Sequence, residues 1–171
     1  MPPRPGLGQS SGGRVMVIWF CGLSASGKST LAWALLGILK RRNPATLLID
    51  GDDLRKLVPS VGYTERERRT MALLKSGLVD LVKLQGMDVI VTGISPPFRK
   101  CFEIFLDIPI DELRQRDPRR LYASDAKDVL GVDLPYTRPS SPNLTITLAD
   151  QQKGVGHCLR LILLALEVEY R

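Results

Sequence analysis

A glycine-rich segment with a lysine and hydroxyl side chains lies near the start of the chain and could bind phosphate groups. It fits the pattern G-x-x-x-x-G-K-[ST], and its residues are Gly22, Leu23, Ser24, Ala25, Ser26, Gly27, Lys28, Ser29 and Thr30. Glycine at two positions lets the backbone turn so that several N–H groups face one phosphate. Lys28 would supply positive charge to the outer phosphates and take part in catalysis, and the Ser29 hydroxyl would bind Mg²⁺. This segment, the phosphate loop, predicts a nucleoside triphosphate site.

The flanks of the phosphate loop support this interpretation. Residues 15–21 before it form an apolar run of strand length, and residues 31–40 after it favour a helix. Strand, loop and helix in this order are the context that the motif requires. The alternative is a glycine turn that merely contains a lysine, and the two flanks make it much the less favoured hypothesis.

Three carboxylates and an arginine follow the next apolar run. They lie in the segment 50–55, Asp-Gly-Asp-Asp-Leu-Arg. One carboxylate could orient or accept the proton of an attacking hydroxyl group, and Arg55 could bind an anionic substrate. Asp is also a good N-cap residue, so the alternative is an acidic turn that begins a helix. Beside a phosphate loop, the catalytic interpretation is favoured.

Two later segments add polar groups. In residues 95–100, Ser95 and Arg99 could contact phosphate or sulfate groups, and in residues 116–122 Arg116 could cover a nucleotide by stacking or by pairing with phosphate. Each segment could instead be a surface turn with solvated charges. We expect His157 to be structural or exposed, and the two tryptophans, Trp19 and Trp33, to belong to the core.

The chain alternates short apolar runs with helical segments. This pattern predicts an α/β fold of the P-loop NTPase type, with a parallel five-stranded sheet and helices on both faces. Strands are expected at about 15–21, 46–49, 89–92, 102–107 and 144–147, and helices at about 28–42, 65–85, 110–116 and 149–166. On the long helix, the apolar positions are Leu74, Leu78, Leu81 and Val82. Residues 117–142 resemble a loop or lid. Since ligands of such sheets bind at the carboxyl ends of the strands, the polar segments are expected to meet there.

Length and composition narrow the class of protein. The 171 residues are enough for a single domain with a substantial core, expected at 14–171 after a disordered lead-in at 1–13. No apolar run reaches transmembrane length, and the start lacks the apolar centre of a secretory signal. The three scattered cysteines fit a reduced, cytoplasmic protein.

The net charge of +6 has two explanations. A basic protein could bind nucleic acid, but no aromatic RNA-binding motif accompanies the basic clusters. Small anions such as nucleotides explain the charge equally well, so nucleic acid is the less favoured partner.

Together, these residues resemble the adenylylsulfate (APS) kinase family over residues 17–150. The matching segments are 17–24, 49–55 with Asp53 in place of Asn, 62–64, 94–96, 115–118 with 121–122, and 131–136. The resemblance implies transfer of the γ-phosphate of MgATP to the 3′-hydroxyl of APS. It implies Asp52 as the catalytic carboxylate, Arg116 against the ATP base, and a possible homodimer. The predicted substrate-binding residues are Asp50, Arg55, Tyr63, Ile94 and Ser95.

Three segments depart from the family pattern. Residues 71–74, Met-Ala-Leu-Leu, stand where the family has Asn-Ile-Arg-Arg, of which the Asn and an Arg help to hold APS. The lid after Tyr122 is shorter than in the family and lacks the lysine that the family has there. Only residues 97–101 separate the Ile-Ser-Pro motif from the next strand, whereas a crossover between parallel strands usually takes about ten or more residues. An APS kinase is therefore the first hypothesis, a related kinase of another small hydroxyl compound the second, and a non-catalytic nucleotide-binding domain the third.

Overall fold

A sheet with β1 at its centre carries the polar segments. The computed structural model describes residues 15–58, 62–95, 101–117, 120–122 and 128–169. In chain order the elements are β1 (Val17–Cys21), α1 (Lys28–Arg42), β2 (Thr46–Ile49), α2 (Gly51–Lys56), α3 (Glu65–Leu84), β3 (Asp88–Gly93), β4 (Phe102–Asp107), α4 (Ile110–Arg116), β5 (Leu144–Thr147), α5 (Leu148–Gln152) and α6 (Val155–Glu169). No helix in the described ranges has both the length and the apolar character needed to cross a membrane.

The strands lie in the order β2-β3-β1-β4-β5, and every neighbouring pair is parallel. The predicted α/β class with a five-stranded parallel sheet is therefore confirmed. Since all strands point the same way, the segments that follow β1, β2 and β3 meet at one edge of the sheet.

Side chains of β1 alternate between two cores. Ile18 and Phe20 pack in a cluster that contains Leu35 of α1 and Ile162 of α6. Trp19, on the opposite face, packs in a second cluster with residues of α3. Helices therefore cover both faces of the sheet, as the sequence predicts, and they fix the position of the strand ends.

The connection from β3 to β4 is short in sequence. Both strands pair with β1, one on each side, and residues 94–101 join them. An extended chain of this length reaches at most about 29 Å, whereas one strand length and one intervening strand require about 20 Å. The sequence departure that suggested a missing crossover segment is thus compatible with an intact sheet. The residues 96–100 lie outside the described part of the chain.

Helix α3 differs in rotation from its predicted apolar face. Its buried residues are Met71, Lys75, Val79 and Val82, while Leu74 and Leu81 are 38% and 57% exposed. Val82 is buried, as predicted. The rest of the predicted face was wrong by about one position, because leucines on the outer side of the helix obscured the spacing of the buried residues.

Two other expectations need correction. Trp33 is 56% exposed, since it lies on the side of α1 opposite the buried Leu31 and Leu35. Trp19 is buried, as predicted. The expected C-terminal helix is divided into α5 and α6, because Gly154 between them adopts a left-handed conformation (φ 93°).

Candidate active site

A cavity of about 470 Å³ lies at the carboxyl edge of the sheet. It brings together most of the predicted site residues: Ser24, Ala25, Gly27, Lys28, Ser29, Thr30, Asp50, Asp52, Arg55, Tyr63, Ile94, Ser95 and Arg116. The other three, Gly22, Leu23 and Ser26, also belong to the phosphate loop but are not among the residues that line the cavity. Arg99 lies outside the described residues.

The phosphate loop depends on two glycines with positive φ. Gly22 (φ 143°) begins the turn after β1, and a Cβ there would lie 2.8 Å from the carbonyl oxygen of Leu106. Gly27 (φ 92°) is the N-cap of α1 and receives no side-chain cap. The backbone N–H groups at the start of this helix can therefore face an anion.

Lys28 is held by its own loop. Its Nζ donates hydrogen bonds to the carbonyl oxygen of Leu23 (2.6 Å) and to Ser26 Oγ (3.2 Å). Burial lowers the pKa of Lys28 to about 8, against the opposing effect of the carboxylates of Asp52 and Asp50. The ammonium group is thus charged at neutral pH, and it is positioned between the loop and the carboxylates.

Asp50 connects three elements at the base of the cavity. Its Oδ2 accepts hydrogen bonds from Ser29 Oγ (2.6 Å) and Thr92 Oγ1 (3.1 Å), and its Oδ1 accepts from the backbone N–H of Asp52 (2.9 Å). Burial opposes ionisation, but these hydrogen bonds hold the pKa of Asp50 below its usual value. Asp50 also caps α2, so the segment 50–55 begins a helix and also lines the cavity, while its catalytic role stays a prediction.

The side chains of Ser29 and Asp50 have the chemistry of Mg²⁺ ligands. A hydroxyl and a carboxylate are hard oxygen donors, and Mg²⁺ usually takes one or two protein ligands together with water and phosphate oxygens. Among the described residues there is no group of three or more His, Cys, Asp or Glu side chains that could hold a metal. Ser29 and Asp50 would therefore hold the ion jointly with a bound nucleotide.

Helix α2 presents Asp52 and Arg55 to the cavity. The guanidinium of Arg55 lies 4.4 Å from the centroid of the Tyr63 ring and donates a hydrogen bond to the carbonyl of Gly62. Arg68 of α3 lies over the same ring at 5.5 Å. Tyr63 is therefore held by two cations at the cavity wall.

The segment after β3 is anchored to β1. Trp19 Nε1 donates a hydrogen bond to the carbonyl of Ser95 (3.1 Å), and the N–H of Gly22 donates to the carbonyl of Ile94 (3.2 Å). Tyr136 also donates to Ile94 (3.3 Å). Ile94 and Ser95 are thus fixed against the phosphate loop, where the sequence places them.

Arg116 is linked to the phosphate loop through Gln151. Its Nε pairs with Glu112 (2.7 Å), and its Nη1 donates to Gln151 Oε1 (2.6 Å). Gln151 in turn donates to the carbonyl of Ser26 (2.8 Å). The arginine therefore has a defined position at the cavity rim.

Sequence reasoning missed several residues of the site. Thr92 could have been found by the rule that the carboxyl ends of strands carry site residues. Tyr122, whose hydroxyl donates to the carbonyl of Ser24 (2.9 Å), lies in a segment that matches the family pattern but was given no role, and Gln151 had no signal in the sequence. Lys75 lines the cavity from α3, and it also had no signal in the sequence. His157 lies 3.4 Å from Asp150, away from the cavity lining.

A parallel sheet of this order with the phosphate loop after its central strand defines a P-loop kinase. The chain superimposes on the structure of Mycobacterium tuberculosis APS kinase CysC, which contains AMPPNP and APS, with a TM-score of 0.80 and 29% identity over 91% of this chain and 99% of that one. The fold also resembles shikimate kinase from Aquifex aeolicus, with a TM-score of 0.55 and 20% identity over 90% and 98% of the two chains.

The sequence identifies the family. The adenylylsulphate kinase family model matches residues 14–147. The adenylyl-sulfate kinase of Pseudomonas aeruginosa is 35% identical over 78% of this chain and 76% of its own length. The bifunctional enzyme NodQ of Rhizobium sp. is 36% identical over 81% of this chain, which spans only 24% of NodQ. The protein belongs to the adenylylsulphate kinase family.

Proposed function

We propose that this protein transfers the γ-phosphate of ATP to the 3′-hydroxyl of APS and produces 3′-phosphoadenylyl sulfate. The observation that carries the proposal is the convergence of the phosphate loop with the carboxylates of Asp50 and Asp52 in one cavity, in a chain of this family. The loop and Asp50 would serve the phosphates and their metal ion, and Asp52 would serve the acceptor hydroxyl.

The nucleotide half is formed by α1 and the loop. Backbone N–H groups after Gly27 would bind the phosphates, and Lys28 would move from its loop carbonyl to the transferring group, where it offsets developing negative charge. Ser29 and Asp50 would hold Mg²⁺, which would neutralise phosphate charge during the transfer. Arg116, fixed by Gln151, would lie against the base.

The acceptor half is formed by α2, α3 and the segment after β3. Asp52 would orient the acceptor hydroxyl and accept its proton as the new phosphate ester forms. Arg55 would bind an anionic group of the acceptor, and Tyr63 would stack near its adenine. Ile94 and Ser95, anchored by β1, would complete this wall.

The proposal is tested by following ADP release from MgATP in the presence and absence of APS. We expect APS-dependent turnover in the wild type and a loss of at least about a hundredfold in kcat for Asp52→Ala, because a positioned acid–base group contributes about 10²–10⁴-fold. Asp53→Ala is the matched control: this aspartate lies one position further on α2, pairs with exposed Lys56 and is not among the cavity-lining residues. Equal activity of the Asp52 and Asp53 variants would contradict the assignment.

A second function is favoured by one observation. Met71 lines the cavity at the position where the family pattern has an Asn that helps to hold APS. A related kinase with another small hydroxyl acceptor would use the same nucleotide half. Turnover with a different acceptor, such as a nucleoside, hydroxy amino acid or aminoglycoside, but none with APS would replace the first proposal by this one. A homodimer and a cytoplasmic location stay predictions.

A further inference from the structure

Lys75 is a buried cation on the packing face of α3. The other buried residues of this helix are Met71, Val79 and Val82, and Lys75 itself is only 9% exposed. A buried charge is costly unless it is paired and hydrogen-bonded, so a lysine among apolar packing positions requires an explanation.

The ammonium group of Lys75 lies at the floor of the cavity. Its Nζ donates a hydrogen bond to the carbonyl of Thr92 (2.8 Å) and lies 5.4 Å from the Trp19 ring centroid. A Cβ at Gly51 would lie 3.0 Å from this atom, and one at Gly93 only 2.9 Å away. The two glycines therefore leave the space that the ammonium group occupies.

Lys75 has hydrogen-bonding capacity beyond this contact. An ammonium group carries three donors. Within the described part of the chain Lys75 makes the one hydrogen bond to Thr92, and no carboxylate forms an ion pair with it. The buried carboxylate of Asp50 already accepts from Ser29, Thr92 and the N–H of Asp52. The remaining donors of Lys75 are thus available to a group in the cavity.

We propose that Lys75 forms an anion-binding subsite in the acceptor half of the cavity and contacts an acidic group of the phosphoryl acceptor. Lys75 lines the cavity together with Arg55 and Ser95 of the acceptor half, whereas the phosphate loop would serve the nucleotide. The inference rests on the proposed function, since it assigns the acceptor class to that same site: hydroxyl compounds that also carry a sulfate, phosphate or carboxylate group.

The experiment compares variants of the full chain by titrating APS into protein saturated with MgADP and by steady-state kinetics. Lys75→Met keeps the length of the side chain and removes its charge. We expect the Kd and KM for APS to rise at least about tenfold, which is the size of one lost charge-assisted hydrogen bond, while KM for ATP stays within about threefold of the wild-type value. Lys83→Met, an exposed lysine on the same helix, is the control and should change neither constant.

Gly93→Ala supplies a second variant that retains the charge. Its Cβ would displace the flexible end of Lys75, so it should also weaken APS binding. The double variant Lys75→Met/Gly93→Ala should then bind APS no worse than Lys75→Met alone, because the two changes act on one contact. Fully additive losses would show that Gly93 acts independently of Lys75.

The pH dependence separates a ligand contact from a structural role. Burial lowers the pKa of Lys75 to about 8, with Asp50 and Asp52 favouring and Arg55 of α2 opposing the charged form; Lys28 is the other cation that faces it. Lys75 is charged below this pKa, so wild-type affinity for APS should fall as pH rises through about 8. The APS affinity of Lys75→Met should lack the pH dependence that is due to Lys75 and keep only that due to Lys28.

The outcomes distinguish the inference from the proposed function. Normal use of APS by the wild type together with unchanged APS constants in Lys75→Met would overturn the inference and leave the function intact. If the wild type neither binds nor uses APS, the function fails, and acceptor pairs with and without an acidic group, such as adenosine 5′-phosphate and adenosine, decide the inference. A Lys75-dependent preference for the acidic member supports it. If no acceptor tested shows a Lys75-dependent preference for the acidic member of its pair, the inference is overturned.

Discussion

Gly22 shows how a single residue can fix the shape of the phosphate loop. Its φ of 143° is in a region that residues with a side chain rarely adopt, and the carbonyl of Leu106 closes the space a Cβ would need. The requirement is local, so it can be tested without reference to the reaction.

We expect Gly22→Ala to lower the free energy of unfolding by about 1–3 kcal/mol, because it adds both backbone strain and a contact with main-chain atoms. Gly37→Ala is the matched control: Gly37 lies within α1, where a Cβ would meet nothing within 4 Å. This control should raise the same free energy by up to about 1 kcal/mol, since alanine favours a helix. Urea denaturation measures both, and equal effects of the two substitutions would contradict the argument.

The residues of the site differ in how far the sequence predicts them. Lys28 and Ser29 belong to a motif whose spacing predicts the chemistry, whereas Asp52 is distinguished from its neighbouring aspartates only by the family resemblance. Gln151 and Lys75 act through contacts between elements distant in sequence, and Lys75 in particular resembles an ordinary surface lysine until the rotation of α3 is known.

At the scale of elements, α3 determines which side chains reach the cavity. The sequence predicts its existence and nearly its bounds, because its capping box at Thr64 and Glu67 and its length are local features. The rotation of α3 about its axis depends on packing against the sheet. The apolar periodicity predicts this rotation poorly, because apolar residues lie on both sides of the helix.

The rotation of α3 predicts that truncating the smaller Val79 destabilises the fold more than truncating the larger Leu81, opposite to the order that the predicted face implies. Val79→Ala removes a buried side chain, 7% exposed, and should lower the free energy of unfolding by about 2 kcal/mol. Leu81→Ala removes a larger side chain that is 57% exposed, and its effect should stay below about 0.5 kcal/mol. Thermal or chemical denaturation compares the two. A greater loss for Leu81→Ala would restore the face predicted from the sequence.

For the whole molecule, the sequence predicts the class of sheet but not the order of its strands. Alternating strands and helices predict a parallel sheet, and the phosphate loop predicts which edge carries the site. The neighbours of β1 follow from pairings between residues far apart in the chain, such as Val17 with Val89, and local sequence patterns contain no such information.

Nucleotide binding should stabilise the whole fold. On the proposed function MgATP would bind the folded chain through groups of α1, α2 and Asp50, which follows β2, so a concentration of about 100 times Kd should add about 2.7 kcal/mol to the free energy of unfolding. Differential scanning fluorimetry would record a rise in Tm. Lys28→Met should reduce this rise at equal nucleotide concentration, whereas Lys40→Met, at an exposed position near the end of α1, should retain it. Full protection of the Lys28 variant would contradict the role assigned to that lysine.

The central position of β1 has a consequence for biosynthesis. The N–H of Gly22 donates to the carbonyl of Ile94, and both neighbours of β1 are strands that follow residue 87. A nascent chain that has emerged only through α2 contains the whole phosphate-loop sequence but lacks the partners that give the loop its shape. We therefore expect the loop to gain its nucleotide-binding shape only after β3 has left the ribosome, and not when the motif itself appears.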